Sequence, residues 1–190
     1  MAYWKEIGLS PFEQAPDRTT DNMSHFITKC MSNTLSTMII LQQWVHSSTK
    51  LCLCCGPVPE TIHSKYQCTH EVSRGRCTAS VDTFRKWLGK LNKDSNITTL
   101  FIDSLLYIAG EWNYPPQCTN LSLHYDIRCI GWPYILIGLI PRSFAPAQQN
   151  YFTHIGSKII GLKYASQNII KIWKLIHGKW IHRSKIKHAG

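Results

Sequence analysis

The sequence predicts an α+β fold: one compact domain with a Cys/His-rich loop region, a small and mostly antiparallel sheet, and a C-terminal basic amphipathic helix. Three patterns support this prediction: cysteines clustered from Cys52 to Cys77, apolar and polar residues alternating from Leu121 to Cys129, and helical periodicity from Ser166 onwards. A chain of 190 residues, 44% of them hydrophobic, is long enough to bury one core. We therefore divide it into an irregular arm (1–22), an α+β core (23–165) and a basic helix with its tail (166–190).

Two segments in the first half of the chain have helical periodicity. Within residues 24–45, Phe26 and Cys30 lie one turn apart ahead of a dense apolar run, which predicts a buried helix or a helix passing into a strand. Residues 83–91 place apolar side chains along one stripe. Asp82 precedes this stripe, and its carboxylate could accept hydrogen bonds from the first turn. We therefore expect a helix that begins just after Asp82.

Three segments of the second half predict the strands of the sheet. Leu121–Cys129 alternates apolar with polar residues, which is the period of a half-buried strand. Tyr134–Ile140 is almost wholly apolar, and Lys158–Tyr164 follows a loop that contains two prolines. The three segments together predict the small sheet.

The C-terminal third predicts a basic amphipathic helix from Ser166 to His182. Residues 127–190 contain 10 basic and no acidic side chains, whereas residues 1–126 contain 11 of each. A segment with this excess of positive charge attracts nucleic acid, acidic protein surfaces or anionic membrane. The apolar face could serve core packing or partner docking, and Lys171, Trp173 and Lys174 are the candidate docking residues. The apolar face consists of Ala165, Ile169, Ile172, Trp173, Ile176 and Trp180.

The sequence predicts neither a secretory signal nor a membrane span. The N-terminal residues lack an apolar run behind a basic start, so we expect synthesis in the cytosol. The longest apolar stretch, Cys129–Ile140, is far shorter than the roughly 20 residues needed to cross a bilayer. We expect no membrane partner.

The cysteine cluster predicts a structural zinc site. Five of the eight cysteines lie between Cys52 and Cys77, among glycines and prolines that need an external support. Under reducing conditions disulfides are disfavoured, and thiolates with imidazoles suit tetrahedral zinc. The alternative is that the cysteines are simply small buried apolar residues. The candidate ligands are Cys52, Cys54, Cys55, Cys68, His70 and Cys77.

The order of these motifs resembles the adenoviral early-region-four 34K family. In that family an apolar segment ending in tryptophan precedes a Cys-Leu-Cys-Cys block, a Cys-x-Cys-type pair, another cysteine and a Trp-containing helix. Here the pair is Cys68-Thr69-His70, so histidine stands where the family has cysteine. The remaining matches are Leu41-Gln42-Gln43-Trp44-Val45, Cys52-Leu53-Cys54-Cys55, Cys77 and Phe84-Arg85-Lys86-Trp87-Leu88.

The resemblance implies a viral early regulatory adaptor of the host nucleus, present also in the cytoplasm. Such an adaptor joins a second viral early protein and recruits a host cullin-elongin ubiquitin ligase. The ligase marks host defence proteins, among them tumour-suppressor and DNA-damage-response proteins, for proteasomal degradation. Viral mRNA export is favoured as well.

One short segment has the pattern of an elongin-binding box. Leu100, Ser104 and Ile108 would share one face of a helix, so that Leu100 could enter a partner pocket while Ser104 allows close approach. A plain core helix or strand explains the same residues.

Two other function classes are weighed against the adaptor. A zinc-containing nucleic-acid-binding regulatory protein would use the basic third to contact phosphates, including those of RNA. An enzyme is not predicted, because no nucleophile with an identifiable base and no paired carboxylates stand out.

Overall fold

The described part of the chain is built from helices. The computed structural model describes residues 21–32, 37–44, 47, 49–52, 54–56, 58–61, 68, 70–90, 94–108, 111, 116–117, 119–131, 134–135 and 138–189. Its helices are α1 (Asp21–Met31), α2 (Met38–Gln43), α3 (Glu71–Gly89), α4 (Ser95–Ile108), α5 (Leu121–Ile130), α6 (Phe144–His154) and α7 (Gly161–Ala189).

The predicted α+β class is wrong for these residues. They contain no β-strand, and an isolated antiparallel bridge joins Leu51 to Pro59. The described residues of all three predicted strand segments are helical or irregular.

The first predicted strand, Leu121–Cys129, is helix α5. The Asn120 side chain accepts a hydrogen bond from the backbone N–H of Leu123 at 3.0 Å, and Gly131 ends the helix with φ of 88°. These two caps stabilise the helical alternative. Buried Leu123 and Ile127 lie one turn apart, whereas Leu121 is 83% exposed, so the twofold alternation of apolar residues is not the pattern of burial.

The other two predicted strands are interrupted by local backbone geometry. Within Tyr134–Ile140, Gly138 has φ of 91° and its N–H donates to the Ile135 carbonyl at 2.9 Å, which forms a turn. Residues 136–137 lie outside the described part. The segment Lys158–Tyr164 is irregular up to Ile160, after which α7 begins at Gly161.

The helix predicted to begin at Thr83, just after Asp82, starts twelve residues earlier, because α3 begins at Glu71. Asp82 lies in its middle and accepts a hydrogen bond from Arg85 at 2.6 Å, so it does not cap the helix. The predicted helix within residues 24–45 is divided into α1 and α2.

The predicted C-terminal helix is confirmed and is longer than expected. It spans Gly161–Ala189, so the boundary placed at Ser166 falls inside α7. Residues 1–20 of the predicted arm lie outside the described part, and Asp21 and Asn22 belong to α1.

Helix α7 lies at the centre of the core and packs most extensively against α6. At their closest approach the Gly161 N–H donates to Gln149 Oε1 at 2.7 Å, where any Cβ at position 161 would collide with the backbone of α6. The Phe144 ring stacks on Tyr164 with centroids 5.7 Å apart. Helices α1 and α3 also contact α7, which places one face of α3 opposite the basic C-terminal helix.

Candidate metal centre

The candidate site is built on a short loop closed by the bridge between Leu51 and Pro59. The Cys52 N–H donates to the Val58 carbonyl and the Glu60 N–H donates to the Lys50 carbonyl, both at 2.8 Å. Gly56 turns the chain with φ of 78°, a conformation that glycine adopts without steric cost. This loop, from Lys50 to Glu60, is called the thiol loop below.

Three thiols converge beside this loop. The sulfur atoms of Cys52, Cys54 and Cys68 all lie within 4.8 Å of one another, and the Sγ atoms of Cys52 and Cys68 are 3.9 Å apart. Sulfurs bound about 2.3 Å from a tetrahedral zinc lie about 3.8 Å apart. The cluster therefore has the spacing that a metal ion bound by thiolates requires.

Cys55 contacts the same cluster from its edge. Burial, together with hydrogen bonds to Cys52 and Cys68, raises the pKa of the Cys55 thiol to about 11. Cys55 is half-buried and is not among the three thiols that mutually approach within 4.8 Å. Its thiol nevertheless interacts with Cys52 and Cys68, two members of the cluster.

Hydrogen bonds lower the pKa of the Cys68 thiol. Burial of its thiol opposes ionisation, but hydrogen bonds from the His70 backbone N–H, the Ser73 hydroxyl and the neighbouring thiols outweigh burial and lower its pKa. For Cys54, burial raises the pKa against an opposing hydrogen bond from Ser73. Donors of this kind orient metal-bound thiolates and stabilise their charge.

The other two predicted ligands lie outside the thiol cluster. His70 is exposed at the position that precedes α3, and its backbone N–H interacts with Cys68. Cys77 is buried on α3 beyond Ser73. Of the six predicted ligands, Cys52, Cys54 and Cys68 therefore form the cluster, Cys55 contacts it, and His70 adjoins it through its backbone.

A buried ion pair joins the thiol loop to α7. Arg183 donates through Nε to Glu60 Oε1 at 2.8 Å and through an Nη atom to Glu60 Oε2 at 2.9 Å. The guanidinium also lies over the Trp180 ring, 5.1 Å from its centroid. The last turns of α7 thereby hold one end of the thiol loop.

A cavity of about 510 Å³ lies between α3 and α7 and reaches the thiol cluster, and it is called the α3–α7 cavity below. Its apolar wall includes Phe84, Trp87 and Leu175, while Cys52, Cys54 and Cys68 line one end. Among the described residues that line it, Glu60 is acidic and the basic side chains are Arg76, Lys171, Lys174, Lys179 and Arg183.

Two residues of the possible elongin-binding box, Leu100 and Ser104, lie in the core. Leu100 is 1% exposed, and the Ser104 hydroxyl donates to the Leu100 carbonyl within α4. The Ile108 backbone ends α4, and its side chain lies outside the described part. Leu100 would have to leave its packing to enter a partner pocket, so the core alternative agrees with the fold.

The candidate docking residues of α7 divide between the core and the surface. Trp173 is 1% exposed and packs in the core, as do Ile169, Ile172 and Ile176. Lys174 is exposed, and Lys171 places Nζ 5.4 Å from the centroid of the Trp87 ring. The apolar face of α7 is thus the core face, and the two lysines line the cavity.

No protein-family model, curated protein or solved structure matches this chain. Its resemblance to the adenoviral family therefore depends on the residues quoted above. None of the helices among the described residues has both the length and the hydropathy that crossing a bilayer requires.

Glu60, Ser73 and Arg183 are site residues that the sequence patterns missed. Glu60 lies within the cysteine-rich segment, and its position among cysteines and prolines was the available clue. Arg183 lies 123 residues further along the chain, so no local pattern connects it with Glu60.

Proposed function

We propose that this protein is a zinc-stapled adaptor that joins other proteins and catalyses no reaction itself. The observation that carries the proposal is the convergence of Cys52, Cys54 and Cys68 beside the thiol loop, with two sulfurs 3.9 Å apart. Thiolates are soft ligands that favour zinc over magnesium or calcium. Zinc would be held by these three thiolates, with Cys55 as the fourth ligand.

Bound zinc would cross-link elements that are separate in the sequence. It would attach Cys68, just ahead of α3, to the thiol loop, which Arg183 in turn connects with α7. Free energy of zinc binding becomes free energy of folding when the site forms only in the folded chain. The metal would thus stabilise the arrangement of α3 and α7.

A structural metal is favoured over a catalytic one because the carboxylate near the thiol cluster is already paired with an arginine. A catalytic zinc usually works with a carboxylate that activates its bound water. Among the described residues that line the α3–α7 cavity, Glu60 is the one carboxylate, and both its oxygens accept hydrogen bonds from Arg183. That carboxylate is engaged in holding the helix and is poorly placed to act as a base.

The adaptor role follows from the resemblance to the adenoviral early-region-four 34K family. On this proposal the protein acts in the host nucleus and also occurs in the cytoplasm. With a second viral early protein, it brings a host cullin-elongin ligase to tumour-suppressor and DNA-repair proteins and favours viral mRNA export. Because Leu100 and Ser104 are buried, the elongin contact would use another surface or require α4 to rearrange.

The test is affinity purification of the tagged full chain from nuclear extract of human cells, followed by immunoblotting for elongins and cullins. We expect both to co-purify with the wild-type chain and to be lost with Cys68→Ser, which removes a zinc ligand. Cys129→Ser is the matched control, because Cys129 is an exposed cysteine on α5. Failure of a zinc-loaded, folded chain to capture either protein would reject the ligase role.

A nucleic-acid-binding regulatory protein is the second candidate. It is favoured by the concentration of basic side chains along α7 and the facing side of α3. Binding of this kind loses affinity steeply as salt rises, because phosphate contacts release counterions. Titration of the zinc-loaded chain with single-stranded RNA at several salt concentrations tests it.

A further inference from the structure

The α3–α7 cavity has an apolar wall and a surrounding set of positively charged side chains. Phe84 and Trp87 stack with ring centroids 5.7 Å apart, and Leu175 lies in the same cavity from the α7 side. Because Glu60 is paired with Arg183, the remaining charged side chains among its described lining residues are all cationic. An occupant must therefore provide both apolar surface and negative charge.

His182 lines the same cavity, and its surroundings are also positively charged. Its Nε2 atom is buried and has no hydrogen-bond partner among the described residues. Burial lowers the pKa of its imidazole, and the positive charges of Arg76, His70 and Lys185 lower it further. The environment of His182 thus disfavours another positive charge.

The cavity size limits the class of ligand. A volume of about 510 Å³ falls within the range of sites that enclose a small ligand or a few side chains. Stacking of nucleic-acid bases would need an open aromatic face, but Lys171 lies 5.4 Å from the centroid of the Trp87 ring and Phe84 is 4% exposed. A peptide whose apolar side chain enters the cavity fits these constraints better than RNA does.

We propose that the α3–α7 cavity is a docking site for an acidic peptide segment of a partner protein. One leucine-sized side chain of the peptide would pack against Leu175 and the exposed part of half-buried Trp87, a contact that needs no open ring face. Carboxylates on either side of it would be attracted to Arg76 and Lys174, which are both exposed. The inference rests on the proposed adaptor function in that it names the surface and the chemistry by which a partner would be held.

Gly178 allows the cavity to be filled without disturbing the fold. It lies in the interior of α7 and lines the cavity, and a Cβ added there would meet no atom within 4 Å. Gly75 lies on α3, also has open space around its Cβ position, and is not among the lining residues. Replacing either glycine with leucine improves helix propensity. Gly178→Leu therefore blocks the cavity, while Gly75→Leu is its matched control.

The experiment uses the zinc-loaded full chain and fluorescence anisotropy. The probe is a labelled peptide of about ten residues with two leucines flanked by aspartates and glutamates, a length typical of groove ligands. We expect saturable binding that weakens as salt rises, because screening reduces the attraction. Replacing the leucines with serine or the acidic residues with lysine should abolish binding.

We expect Gly178→Leu to weaken binding of the acidic peptide at least about tenfold, and Gly75→Leu to leave the binding affinity unchanged. Circular dichroism should show that both variants are folded. Arg76→Glu combined with Lys174→Glu should weaken it about tenfold or more. Lys163→Glu combined with Lys158→Glu is the control, since both lysines are exposed and neither lines the cavity.

Equal effects of the two leucine variants, or no binding of the acidic peptide, would overturn the proposal. Single-stranded RNA that binds in place of the peptide and is lost with Gly178→Leu would also overturn it and assign the cavity to nucleic acid. The peptide assay contains no ligase components. If the wild-type chain binds the peptide but does not capture elongins, the ligase role alone is rejected. If it captures elongins but does not bind the peptide, the docking site alone is rejected.

Discussion

Glu60 and Arg183 form a two-pronged ion pair in the protein interior, with side chains 1% and 8% exposed. Two parallel hydrogen bonds fix the relative position of the thiol loop and the last turns of α7. Removing one member of such a pair costs much more than the pair contributes, because an uncompensated buried charge remains.

Glu60→Gln is therefore expected to destabilise the zinc-loaded protein by about 3 to 5 kcal/mol. The amide retains the size of the side chain but removes the charge that balances Arg183. Urea denaturation followed by circular dichroism measures the change. Asp82→Asn provides the control, because the Asp82–Arg85 pair is about half exposed and such pairs contribute about 0.2 to 1 kcal/mol.

Replacing both members of the buried pair should restore much of the lost stability. With Glu60→Leu and Arg183→Met together, no buried charge is left uncompensated, and substitutions of this kind are often neutral or stabilising. Urea denaturation of the double variant should thus give a free energy of unfolding well above that of Glu60→Gln. A double variant as unstable as the single one would show that the pair matters for its hydrogen-bond geometry.

Zinc content should depend on the three clustered thiols. Metal analysis of protein purified under reducing conditions should find about one zinc per chain. Cys52→Ser, Cys54→Ser and Cys68→Ser should each lower zinc content and melting temperature, because a lost ligand removes folding energy. Cys129→Ser should retain both. A wild-type protein that keeps its melting temperature after chelation would contradict a structural role for the metal.

The fourth zinc ligand is expected to be Cys55, since its thiol contacts Cys52 and Cys68. Cobalt-substituted protein tests this, because thiolate-to-cobalt charge-transfer absorption grows with the number of bound sulfurs. Cys55→Ser should lower that absorption and weaken metal binding about 10-fold or more. His70→Ala should leave the spectrum unchanged, because the interaction of His70 with Cys68 is through the backbone. The opposite pattern would assign the fourth position to the imidazole.

Gly138→Ala should destabilise the core through a collision with Trp173. Gly138 has φ of 91°, and a Cβ there would overlap the indole nitrogen of the fully buried Trp173. Overpacking costs about 1 to 3 kcal/mol in addition to the backbone strain. Gly156→Ala is the matched control, because Gly156 has φ of 65° with no atom within 4 Å of the Cβ position. Similar melting temperatures for the two variants would rule out the collision.

Helical periodicity was the most informative sequence pattern. The apolar face of α7 was predicted from the spacing of Ile169, Ile172, Trp173 and Ile176, and the structure shows that all four are buried. The predicted strand at Leu121–Cys129 failed because its apolar residues satisfy a twofold period while Leu123, Ile127 and Ile130 also satisfy a helical one. Capping by Asn120 and Gly131 was the feature that distinguished the two alternatives.

The sequence predicted that cysteines would cluster, but it only partly predicted which residues belong to the cluster. Clustering in the sequence identified Cys52, Cys54 and Cys68, which the fold brings together. It also included Cys77, because sequence proximity cannot show that a helix begins at Glu71 and carries that residue away from the loop. The cavity required the tertiary packing of α3 against α7 and had no counterpart in the sequence patterns.

The pairing of Glu60 with Arg183 can form only late in synthesis, because the chain is made from its N-terminus. The two residues are 123 positions apart, and ribosomes add about 5 to 20 residues per second. All the clustered thiols therefore emerge roughly 6 to 25 seconds before the arginine that anchors their loop. Over that interval the thiol loop lacks the support that the last turns of α7 give it in the folded protein. A chain that ends before Arg183 would carry all three clustered thiols, but its thiol loop would not be attached to the last turns of α7.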